Sequence, residues 1–214
     1  MSRNHDFVSK KVAIVGRSGQ GKSTFQRQLI RAWPADYTFG FDHKDEFKNE
    51  GGFYQCRTPE QCDAALEQTG FVNFRPTVTR EFTLRAAFSA WFESVFGICK
   101  RLPGRKLIYF DESKRTVGTN AKLFESHVLA EGMETGREWG IDFLIAAQRP
   151  SHLVPDYRGQ ISQWVCFQMP GGWVKPLAED YEEDFSAVCA LNKGQFIAYD
   201  ADSGEFEQGE SKPE

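Results

Sequence analysis

Gly16-Arg17-Ser18-Gly19-Gln20-Gly21-Lys22-Ser23-Thr24 follows the apolar run Val12-Ala13-Ile14-Val15 and precedes Phe25, Leu29, Ile30 and Trp33 on one helical face. Strand, glycine-rich turn and amphipathic helix in that order make a P-loop, the Walker A motif. Backbone N–H groups of such a loop point into a shared hollow, and the positive end of the following helix strengthens the field there. Residues Gly16 to Thr24 are therefore the expected cradle for ATP phosphates. Lys22 is placed to reach the β- and γ-phosphates, and the Ser23 hydroxyl to ligate Mg²⁺. An ordinary glycine-rich turn leaves Lys22-Ser23-Thr24 unexplained.

The rest of the chain alternates strand-like and helix-like segments, the pattern of an α/β fold with a mainly parallel sheet. Strands are predicted over 11–15, 37–41, 71–75, 106–110, 141–147, 163–169 and 195–199. The fourth and fifth are continuous apolar runs, as in strands buried on both faces. A helix is predicted over 83–101, where Leu84, Phe88, Trp91, Phe92, Val95 and Cys99 share a face and Pro103-Gly104 follows. Further helices are predicted over 120–137 and 179–190. No linker or repeat divides the chain. The expected organisation is a short extension over 1–10, one ATPase domain over 11–201 and an acidic, flexible tail over 202–214.

Bulk properties narrow the class. A chain of 214 residues with 40% hydrophobic residues, 19 of them Phe, can bury a sizeable core. No apolar run reaches the roughly 20 residues that span a bilayer, and Met1 to Asp6 carry no signal-like apolar core. Both point to an intracellular protein without an intrinsic membrane segment. Cys56, Cys62, Cys99, Cys166 and Cys189 are scattered and odd in number, which suits buried thiols better than a disulfide framework or a zinc site. The net charge of −4 excludes overall attraction to nucleic acid and leaves room only for a local basic patch.

Lys106-Leu107-Ile108-Tyr109-Phe110-Asp111-Glu112 supplies the chemistry that a P-loop lacks. An apolar strand ending in two acids is a Walker B pattern. Asp111 is expected to hold Mg²⁺, through its waters. Glu112 is expected to orient or deprotonate the attacking water. Small-molecule P-loop kinases need no such second carboxylate. Another apolar strand ends at Gln148, where an amide can bond both the γ-phosphate and the water. Ligands of open α/β sheets lie outside the carboxyl ends of the strands.

The run Ala147-Gln148-Arg149-Pro150, and the order P-loop, Asp-Glu strand, Gln-Arg-Pro strand, resemble the FtsK/HerA superfamily of DNA-translocating ATPases. Gly40-Phe41-Asp42-His43-Lys44-Asp45-Glu46 is similar to its second-strand motif, and Asn192-Lys193-Gly194-Gln195-Phe196 to its turn into a final strand. The resemblance covers about 11–199. It implies a RecA-like (ASCE) P-loop NTPase domain, ATP and Mg²⁺ as cofactors, and a homo-oligomeric, hexameric ring around double-stranded DNA. It also implies an arginine supplied in trans. Arg137 is the matching residue, with Arg149 as the competing candidate. Within the superfamily the chain is most similar to small viral genome-packaging ATPases of double-jelly-roll capsid viruses. No stretch of these residues reads as the β-barrel, membrane module or winged helix of larger relatives, so a minimal packaging-type motor is expected. That kinship implies capsid or portal-vertex partners and a place in the host cytoplasm or on the virion. Alternatives are a plasmid or conjugative DNA-transfer ATPase, a filamentous-phage-type assembly ATPase, and a nucleotide-dependent scaffold. Lys114, Arg115 and Lys122 follow Glu112 in a basic stretch that is either a DNA-gripping pore loop or a solvated surface loop.

Overall fold

The computed structural model describes residues 9–44, 46–47, 53–58, 60–62, 64–65, 70–76, 83–111 and 127–211. In chain order the strands are β1 (Lys11–Val15), β2 (Tyr37–Phe41), β3 (Tyr54–Cys56), β4 (Phe71–Phe74), β5 (Lys106–Phe110), β6 (Ile141–Ala147), β7 (Gln163–Phe167), β8 (Gln195–Asp200) and β9 (Phe206–Glu210). The longer helices are α1 (Lys22–Ala32), α2 (Leu84–Cys99), α3 (His127–Thr135) and α5 (Gly171–Tyr181), with a single turn, α4 (Pro155–Arg158), between α3 and α5. The strands form one sheet in the order β3-β4-β2-β5-β6-β1-β7-β8-β9. β1 to β7 run parallel, and β8 and β9 close that edge antiparallel.

Alternation within each strand explains how both faces are covered. Val12, Ile14, Leu107, Tyr109, Leu144, Val165 and Phe167 point to one face and pack with Ile30, Phe25, Leu29 and Trp33 of the α1 region. Ala13, Val15, Ile108, Phe110, Phe143 and Ile145 point to the other and meet the aromatic stripe of α2. There Phe88 lies 5.0 Å from Phe110, and Phe41 5.2 Å from Trp91, between ring centroids. α2 starts where Thr83 accepts a hydrogen bond from the Ala86 N–H, an N-cap. Strands buried on both sides become continuous apolar runs, which is why β5 and β6 were readable as such.

Register decides where the site can be. Val15 pairs with Ala147 and Cys166, and Phe41 with Phe110. The strand ends are therefore aligned, and Gly16, Asp42, Asp111, Gln148 and Gln168 all emerge at one edge of the sheet. At the opposite edge the buried carboxylate of Asp142 accepts hydrogen bonds from Lys10 N–H (2.7 Å), Trp33 Nε1 (2.7 Å) and Arg105 Nε (2.5 Å). That cluster ties the end of α1 to the starts of β5 and β6.

Three sequence expectations change, and one short strand, β3, is additional. The 202–214 segment was expected to be a tail, but Phe206–Glu210 form β9, paired with β8 from Gln195↔Glu210 to Tyr199↔Phe206. β9 is held by backbone bonding and leaves its polar side chains exposed, so hydropathy gives no hint of it. The three-residue β3 is likewise too short to register. The helix expected over 179–190 lies earlier, as α5, and only a 3₁₀ turn occupies Ser186–Ala190. Pro176 inside α5 and Pro170 before it obscured the helix, and Glu182, in the left-handed region at φ 56°, ends it. In the 120–137 segment the described part is helical over His127–Thr135 and then tightens to a 3₁₀ turn, Gly136–Trp139. Of the cysteines, Cys56, Cys62, Cys99 and Cys166 are buried and Cys189 is half-buried. Burial pushes the Cys99 thiol up to about 12. Among the described residues no helix is long and apolar enough to cross a membrane.

Candidate nucleotide-binding site

The loop between β1 and α1 is anchored at three points. Arg17 N–H donates to the Gln168 carbonyl beyond β7 (3.1 Å), and Lys22 Nζ reaches back to the Arg17 carbonyl (2.9 Å). Gly194 N–H donates to the Gln20 carbonyl (3.1 Å), while Ser211 donates its N–H (2.8 Å) and hydroxyl (3.1 Å) to the Gly194 carbonyl. The segment after β9 thus buttresses the loop, a role no local pattern announces. The first helical bond of α1 runs from Phe25 N–H to the Gly21 carbonyl, and the first turn carries no acidic residue. The N–H groups of Lys22, Ser23 and Thr24 and the uncompensated helix end therefore face the cleft.

Gly16 is required by geometry. Its φ is 144°, and an added Cβ would stand 2.6 Å from Phe167 Cβ and 3.0 Å from the Phe167 carbonyl oxygen. Gly16→Ala is expected to cost about 1–3 kcal/mol by forcing β1 and β7 apart. Thermal unfolding with parallel ATP titration checks this, and an unchanged melting point together with unchanged affinity contradicts it.

A cleft of about 330 Å³ opens over this loop. One wall is Ser18, Gly19, Gly21, Lys22, Ser23 and Thr24. The other holds Lys44, Glu46, Asp111, Gln148 and Lys193. Asp111 leaves the end of β5 and Gln148 the end of β6, so both predicted residues meet the P-loop. Gly16, Arg17 and Gln20 serve the loop as anchors and do not line the cleft. Glu112, Lys114, Arg115 and Lys122 lie outside the described residues. The Ser23 hydroxyl and Asp111 carboxylate make an all-oxygen set, which suits Mg²⁺ held jointly by protein and phosphates.

Lys44, Glu46 and Lys193 join the candidate residues; they fall in the Gly40–Glu46 and Asn192–Phe196 stretches, whose resemblance alone assigns them no role. Their signal was positional: each follows or precedes a strand end on the ligand edge. Among the described residues three lysines and two carboxylates line the cleft. The β2 loop is shaped by Asp42, which is buried and accepts the N–H groups of Glu46 (3.0 Å) and Phe47 (2.8 Å). Asn73 Nδ2 donates to Asp42 (3.2 Å) and to Gln55 Oε1 (2.9 Å), and Tyr109 donates its hydroxyl to Asn73 Oδ1 (2.7 Å). Gly40 makes room for that tyrosine: a Cβ there would come within 2.1 Å of its hydroxyl oxygen.

Solved structures share this fold. The genome packaging NTPase B204 of Sulfolobus turreted icosahedral virus 2, in its AMPPCP complex, superposes with a TM-score of 0.72 at 18% identity, covering 96% of this chain and 98% of that one. This is the RecA-like P-loop ATPase fold. VirB4 of Thermoanaerobacter pseudethanolicus gives 0.72 at 10% identity, covering 100% of this chain and 92% of that one. The bacterial conjugative coupling protein TrwBΔN70 gives 0.66 at 10%, covering 94% and 84%. No protein-family model and no curated protein sequence matches the chain.

Within this RecA-like fold the two arginine candidates separate. Arg137 is exposed on the 3₁₀ turn before β6. The seven residues of β6 put it about 20 Å from the P-loop edge. Burial and then the like charge of Arg137 hold the Lys11 ammonium below its ordinary value. Arg137 is not among the described residues that line the cleft. Arg149 lies next to Gln148 in extended backbone, and its guanidinium stacks 3.9 Å from the centroid of Trp173 at the start of α5.

Proposed function

We propose that this protein hydrolyses ATP to translocate double-stranded DNA and that it packages a viral genome into a capsid. The observation that carries the reading is the convergence of the P-loop, Asp111 and Gln148 in one cleft at the carboxyl edge of the sheet. The likeness to a packaging NTPase over nearly the full length of both chains supports the motor assignment. The conjugative coupling protein TrwBΔN70 superposes as well, so a conjugative DNA-transfer motor is the second reading.

In the proposed site the P-loop N–H groups and Lys22 hold the phosphates. Ser23 and Asp111 would hold Mg²⁺, which supplies charge neutralisation at the phosphoryl oxygens. Gln148 orients the attacking water, and Glu112, next in sequence to Asp111, accepts its proton. Arg137, remote from its own cleft, acts on the site of a neighbouring subunit, so the working form is a homo-oligomeric ring, hexameric by resemblance. Lys114, Arg115 and Lys122 are proposed to touch DNA phosphates, a contact that positions without reading sequence. The partners would be capsid or portal-vertex proteins inside the host cell.

The test is steady-state ATP turnover with and without linear double-stranded DNA at low salt. Stimulation by DNA, weakening as salt rises, is the expected result. Turnover indifferent to DNA overturns translocation and favours a nucleotide-dependent scaffold. Retention of the protein by empty capsids of its own virus separates packaging from conjugative transfer.

A further inference from the structure

Lys44 Nζ lies 3.0 Å from Asp111 Oδ2 and 3.9 Å from Glu46 Oε1. The parallel register of β2 and β5 brings them together, since Phe41 pairs with Phe110 and the two loops leave side by side. All three residues line the cleft that holds Lys22, Ser23 and Gln148. Glu46 Oε2 is buried and has no hydrogen-bond partner among the described residues. An acceptor of that kind is costly unless the working state supplies it with a donor or cation. The backbone around Lys44 is meanwhile held by the Asp42–Asn73–Tyr109 chain of hydrogen bonds. Loop position is thus set from within the core, and the adjustable part is the lysine side chain, a third exposed to the cleft.

We infer that Lys44 reads the terminal phosphate: its ammonium leaves Asp111 for the γ-phosphate of a bound nucleoside triphosphate and stays on Asp111 when a diphosphate is bound. The inference deepens the nucleotide-site reading and rests on it. A γ-phosphate carries more negative charge than one carboxylate and offers several acceptor oxygens to a compact, flexible cation. The exchange leaves Asp111 available to the hydrated cation that accompanies the triphosphate. Glu46 stays beside the lysine in either position and offsets its charge. A diphosphate has nothing to draw the ammonium away, so the β2–β5 edge takes a different arrangement for each nucleotide.

Calorimetric titration of ATP and of ADP into the full chain, with magnesium and again in EDTA, tests this with K44M and K44R. Loss of one charge-assisted contact predicts that K44M weakens ATP binding by about 10- to 100-fold and ADP binding by less than about twofold. K44R, which keeps the charge, should retain most of the preference for ATP. ADP affinity is the internal check that the variant is folded, and K44Q is a second neutral variant. Equal losses for ATP and ADP, or an unchanged ATP affinity, overturn the inference while leaving the nucleotide site in place. A wild-type protein that binds neither nucleotide overturns the site reading, and the inference with it.

Discussion

Arg137→Ala is expected to lower ATP turnover by roughly 10³–10⁵-fold, the range for a trans-acting arginine that stabilises charge on the transferring phosphoryl group. ATP affinity should change little, because the residue lies at the far edge of its own sheet and is not among the described residues that line the cleft. The decisive form of the experiment mixes two inactive proteins. An Arg137→Ala subunit has an intact P-loop, and a Lys22→Ala subunit has an intact arginine. In a mixed ring the second can complete the site of the first, so turnover reappears on mixing. Normal turnover by Arg137→Ala alone refutes the assignment. Failure of the mixture to recover, with each variant still assembling, shows that Arg137 acts within its own subunit. Arg149 is then the next residue to change, and its stacking on Trp173 makes Arg149→Lys informative, because lysine keeps the charge and loses the planar contact.

Glu112→Gln should abolish hydrolysis while leaving ATP bound, a loss of about 10²–10⁴-fold if its part is that of a general base. The amide keeps the size of the side chain and its ability to accept a hydrogen bond, but it cannot take the proton of the attacking water. Trapped, unhydrolysed ATP after gel filtration is the expected readout. Wild-type turnover in this variant would move the catalytic carboxylate elsewhere, and Glu46, which lines the cleft with one buried oxygen that has no partner among the described residues, is the first place to look.

The aligned strand ends explain why so much of this site was readable in advance. β1, β5 and β6 lie side by side and parallel, so the residue after each strand falls on the same edge whatever the details of the loops. An apolar run ending in Asp111 and another ending in Gln148 therefore locate themselves once the fold class is known. The stripe on α2 was legible for a similar reason, since helical periodicity is local. Lys44, Glu46 and Lys193 were less legible. Each sits in a turn, where no periodicity says which way a side chain points.

By itself the sequence determined the P-loop, its strand and helix, the buried parallel strands and the residues at their carboxyl ends, because all of these are written in neighbouring positions. The tertiary structure alone decided three things. It brought Lys44 onto Asp111 through the register of β2 against β5. It turned the acidic C-terminal stretch into β9 and placed Ser211 against the turn that braces the P-loop. It also put Arg137 on the edge of the sheet opposite its own nucleotide site. Each depends on contacts between segments distant in the chain, and their geometry is set by sheet order and backbone pairing, which leave no periodic trace in the side chains.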